Sequence, residues 1–63
     1  MIAKCIDNMQ YEDTLKRNKY YKIIEGSKMS EFVTVKGEGG AIVECFSARF
    51  VNFRSNDFLE RIQ

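Results

Sequence analysis

Sixty-three residues, 44% hydrophobic and 30% charged, make one small domain that can bury only ~60% of the surface its unfolded chain exposes. This composition excludes a disordered tract, a low-complexity array and an apolar run long enough to cross a membrane. A formal net charge of +1 is far from that of a dedicated nucleic-acid binder, and the chain has no histidine to act as a general base.

In chain order, Ile2 to Ile6 alternates as a first strand. With Lys4 in water, Ala3 and Cys5 point to the core, so Ile2 and Ile6 face the other way and need a cover. Met1-Ile2-Ala3-Lys4 carries no basic segment followed by an apolar stretch, so no secretory signal is read and a cytoplasmic setting is expected. Asp7 to Thr14 is polar and without period, a long loop of the kind that often carries a binding surface.

Charge is uneven here. Residues 1–13 set Lys4 against Asp7, Glu12 and Asp13, a net of −2, whereas residues 14–22 hold Lys16, Arg17, Lys19 and Lys22 with no acid, +4. The second strand is expected over about Lys19 to Glu25, Tyr21 and Ile23 inward and Tyr20 and Lys22 outward, with Leu15 as an earlier apolar anchor. Gly26 to Ser30 turns the chain, Gly26 being free to take a positive φ. Glu31 to Lys36 gives the third strand and Ala41 to Phe46 the fourth, paired across the turn Gly37-Glu38-Gly39-Gly40. Ser47-Ala48-Arg49-Phe50 reads as one helical turn leading into a fifth strand at Val51-Asn52-Phe53.

Five short strands, a long early loop and a turn before the last strand predict a mainly-β chain, a five-stranded SH3-like barrel over residues 1–54. Residues 55–63 predict a short C-terminal helical extension, capped by Ser55 or Asn56, with Phe58, Leu59 and Ile62 as its apolar stripe. In so small a chain Phe32, Phe46, Phe50 and Phe53 are expected inside. Arg49 is expected to pair with Glu44 or stack on Phe46, an architectural role.

Three segments carry a resemblance: Lys4-Cys5-Ile6-Asp7-Asn8, Leu15 through Glu25, and Phe46-Ser47-Ala48-Arg49-Phe50. Over residues 1–53 the chain resembles small SH3-like barrel proteins of phages, prophages and Gram-positive bacteria. These typically read Cys-x-Asp-Asn in the first strand, Leu-Thr-x-Gly-Lys-x-Tyr into the second and Arg-Phe near the last. Lys16 stands where that group has Thr, and Asn18 where it has Gly, a turn position that Asn tolerates. The resemblance implies a fold and a mobile-element origin; the group has no single activity to carry over.

No catalytic constellation is read. Without histidine, activation of Ser27, Ser30, Ser47 or Ser55 would fall to a carboxylate or lysine, and no spacing pairs them. Gly37 to Gly40 lacks the Lys-Ser/Thr of a phosphate loop and opens a strand rather than a helix. Cys5 and Cys45 cannot make a four-ligand metal site within one chain, a site shared in a dimer would need both cysteines of each subunit facing one axis, and a single bridge is not the framework of a secreted scaffold, so two buried thiols, no metal and no cofactor are expected.

The function expected is therefore a non-enzymatic binding module acting on a host or self protein, a homodimer included. Met9, Tyr11, Tyr20 and Met29 would line its groove, aromatics giving shape and methionines adaptable contact. The alternative is an RNA- or single-strand-binding module, with Lys16, Arg17 and Lys19 on phosphates and Tyr20 stacked on a base. Against it stands a plainer role for those lysines, keeping a strand edge soluble.

Overall fold

The structure, a computed structural model, describes residues 1–55. Five strands, β1 (Ile2–Cys5), β2 (Tyr20–Glu25), β3 (Phe32–Lys36), β4 (Ile42–Phe46) and β5 (Phe50–Arg54), form one antiparallel sheet in the order β4-β3-β2-β1-β5. Short 3₁₀ turns at Glu38–Gly40 and Ser47–Arg49 precede β4 and β5. No helix among the described residues is long and apolar enough to cross a membrane.

The closed barrel is thus corrected to one open antiparallel sheet, mainly β. Closure would need a ladder between β4 and β5, and these strands lie at the two ends of the sheet with no pairing between them. The Ser47–Arg49 turn carries the chain across instead. It is tied to both sides, the Ser47 N–H donating to the Glu31 carbonyl (2.9 Å) and the Ile6 N–H to the Arg49 carbonyl (2.8 Å). Among the described residues there is no true helix, only the two 3₁₀ turns. The helical extension expected over 55–63 falls on residues that, Ser55 aside, lie outside those described.

The core follows from period two. Ala3, Cys5, Tyr21, Ile23, Val33, Val35, Cys45 and Phe50 are buried on one face, so even the end strands β4 and β5 contribute to one cluster and the sheet must curl. The long loop supplies a lid of two side chains: Leu15 is buried in the cluster and Tyr11 packs against it. A single sheet can then do without a second layer, since loop and curl together dry its inner face. Cys5 and Cys45 are free and buried, and burial pushes both thiols up.

Two backbone positions hold the turns. Gly26 sits at φ +92°, and an added Cβ would lie 2.8 Å from the Phe32 carbonyl oxygen. Asn18 takes φ 69°, in the left-handed region that asparagine tolerates better than most residues, and its N–H donates to the Cys5 carbonyl (2.6 Å).

Candidate functional site

Each side chain assigned to a groove has a definite place, and the four do not converge. Met9 is 66% exposed on the long loop and Met29 86% exposed in the Gly26–Glu31 turn. Tyr20 opens β2, and that turn follows its far end, with the roughly 17 Å length of the strand at ~3.3 Å per residue between Tyr20 and the start of the turn. Tyr11 is structural. Arg49 lies over its ring (5.0 Å to the centroid), while its Oη reaches the Glu44 carbonyl at a long 3.5 Å. The same guanidinium donates to the Met9 carbonyl (2.9 Å) and pairs with Asp7 (3.3 Å). Arg49 is indeed architectural, but its partners are Asp7, Met9 and Tyr11 rather than Glu44 or Phe46.

The basic lead-in to β2 is also largely committed to the fold. Lys16 Nζ donates to the Glu12 carbonyl (2.9 Å), and Lys19 pairs with Glu38 (2.7 Å). Arg17 is exposed. Glu38 belongs to a network: it accepts from the buried Tyr21 hydroxyl (2.5 Å), whose oxygen accepts from the Lys16 N–H (2.7 Å). Lys19 and then Tyr21 hold the Glu38 carboxyl below its usual range, whereas burial first, and the Glu38 bond next, push Tyr21 up to about 12. The Glu38 N–H donates to the Thr14 carbonyl (2.7 Å), so this cluster docks the β3–β4 hairpin on the loop.

The sheet's outer face carries an exposed aromatic pair where the sequence predicts core residues. Phe32 and Phe46 are not in the core. They stand opposite each other in the β3–β4 register, stacked at 4.8 Å with 25° between planes, and 44% and 52% exposed. Strand parity carried the signal: Val33, Val35 and Cys45 face inward, so their neighbours Phe32 and Phe46 cannot. Of the first strand's isoleucines, Ile6 is exposed, whereas Ile2 is only 4% exposed though outside the core cluster, placed between Lys22 and Arg54 in the register.

That outer face is zoned by rows across the strands. One row reads Ile42, Lys36, Lys22, Ile2, Arg54, with Lys22 directly opposite Lys36. On one side of it Lys4 stands between Tyr20 and Val51; on the other, Thr34 stands between Glu44 and Glu25. Phe32 and Phe46 lie beyond that acidic row. An open depression along β5, lined by Lys28 and residues 50–54, adds no cluster of catalytic groups, and no group of three or more metal-ligating side chains occurs among the described residues. No known protein family, curated protein or solved structure matches the chain.

Proposed function

We propose that this chain is a small non-enzymatic binding module that associates with another protein through the outer face of its sheet. The Phe32–Phe46 stack carries the reading. Two phenylalanines half open to water are costly to solubility, and their mutual stacking holds them as a rigid apolar anchor at the surface. Aromatic anchors of this kind are enriched where proteins meet. Ile42, 57% exposed on the same face of β4, adds a second apolar point across the Glu44 row from them.

A nucleic-acid role through Lys16, Arg17 and Lys19 has less support. Lys19 is neutralised by Glu38, and Lys16 is bonded to the loop.

The test compares wild type with the double variant Phe32→Ser/Phe46→Ser as bait in a lysate of the source cell, with and without nuclease. Both side chains lie outside the core, so the variant should keep the wild-type circular dichroism spectrum. A nuclease-resistant protein retained by wild type and lost by the variant is expected. Identical retention by both, or recovery that nuclease abolishes, would reject the reading.

A further inference from the structure

We infer that the partner meets the outer face with an acidic segment bearing apolar side chains, engaging Lys4, Lys22 and Lys36 as well as the aromatic pair. This rests on the proposed protein association and specifies its chemistry. Lys22 and Lys36 are direct cross-strand neighbours, exposed, and like charges so placed destabilise a sheet. Among the described residues neither has a carboxylate partner, and nor does Lys4, which lies diagonally beside Lys22. The chain has acids to spare on this same face, Glu25 and Glu44, yet sets them one row away against Thr34. Folding therefore leaves a repulsion that an incoming carboxylate would relieve, at a place already flanked by Ile42.

The alternation of charge selects a protein segment over a nucleic-acid strand. A polyphosphate running from the lysines to the Phe32–Phe46 platform would cross Glu44 and Glu25, where every phosphate is repelled. A polypeptide has no such uniform charge. It can place Asp or Glu on the lysine row, a neutral or basic residue on the glutamate row, and apolar side chains on Ile42 and the phenylalanines. Aliphatic Ile42 is also poor stacking material for a base and good packing for leucine or valine.

The experiment is an amide chemical-shift titration of the ¹⁵N-labelled protein with three probes: a short peptide alternating Asp with Leu, its counterpart alternating Asn with Leu, and an oligothymidylate. The Asp peptide should bind more tightly than the Asn peptide and shift the amides of Lys22, Lys36, Phe32 and Phe46. Its advantage should shrink as salt rises. Lys22→Glu/Lys36→Glu should cost that advantage roughly tenfold in affinity, as two exposed ion pairs become repulsions, while Lys22→Gln/Lys36→Gln should cost less. Phe32→Ser/Phe46→Ser should weaken both peptides alike. Equal affinity for both peptides, each lost in the phenylalanine variant, would overturn the acidic chemistry and leave the association reading standing. Failure of either peptide to perturb this face would count against both. Tighter binding of the oligothymidylate than of the Asp peptide at physiological salt would replace the protein segment with nucleic acid.

Discussion

Tyr21 has its polar tip engaged on two sides. Its ring lies in the core while its oxygen accepts from the Lys16 N–H and donates to Glu38. Replacing it with phenylalanine keeps the packing but strands the Lys16 N–H and removes a charge-assisted bond, so Tyr21→Phe should cost about 1–3 kcal/mol in urea melts. The ionisation has a sign as well. A phenol pushed up to about 12 is favoured neutral in the folded state, so its contribution is whole below the ordinary tyrosine range and is lost as pH rises from that range towards 12. Absorbance titration should show a late phenolate that is absent from Tyr21→Phe. Glu38 runs oppositely: its carboxyl is held low, so its contribution stands above the usual carboxylate range and is lost as pH falls through the folded value. Acid should therefore loosen the β3–β4 hairpin, and Glu38→Gln should remove that part of the acid sensitivity.

At the scale of the element, an open sheet has two edges to protect. On β4, Tyr11 bonds the Glu44 carbonyl under Arg49; on β5, Asn52 at φ 56° breaks the regular strand. Tyr11→Ala should expose the β4 edge and raise self-association at high concentration, measured by sedimentation; a strictly monomeric variant would deny Tyr11 that role. The Lys22–Lys36 pair between β2 and β3 makes the converse prediction. Lys36→Glu turns a cross-strand repulsion into an attraction and should stabilise the fold by about 0.2–1 kcal/mol, while weakening the binding inferred for this face. Strand positions were legible because period two and the glycine turns are local: Gly37 to Gly40, Gly26 and the Ser47–Arg49 turn all lie where the residues place them. What was not legible needed register. Lys22 and Lys36 look like scattered surface charges until the ladder puts them together, and the pairing of Lys19 with Glu38 brings in a hairpin distant in sequence. Counting phenylalanines as core material because the chain is small overrode the parity that puts Phe32 and Phe46 outside.

For the whole molecule the question is whether a curled sheet without β4–β5 pairing unfolds as one unit. Cys5 on β1 and Cys45 on β4 lie in the same buried cluster, yet Cys5 is flanked by strands on both sides and Cys45 is on an edge. Burial pushes both thiols up, so under native conditions a thiol reagent should meet them only when the structure opens. A core of this size rarely yields more than about 3–5 kcal/mol, which sets labelling roughly 10²–10⁴ times slower than in the unfolded chain. In a single cooperative unit Cys5→Ala and Cys45→Ala, each leaving one thiol, should label with the same protection after correction for their own stabilities, and that protection should fall with urea along the global slope. The inner face argues for this outcome, since Val33, Val35 and Cys45 belong to one buried cluster with Leu15 and the β1 and β2 residues, so β4 cannot leave without unpacking it. Faster, urea-insensitive labelling of Cys45 alone would show β4 fraying by itself. The absent β4–β5 ladder would then be a mechanical weakness, and the face bearing Ile42 and Phe46 would be ordered only in part before a partner arrives.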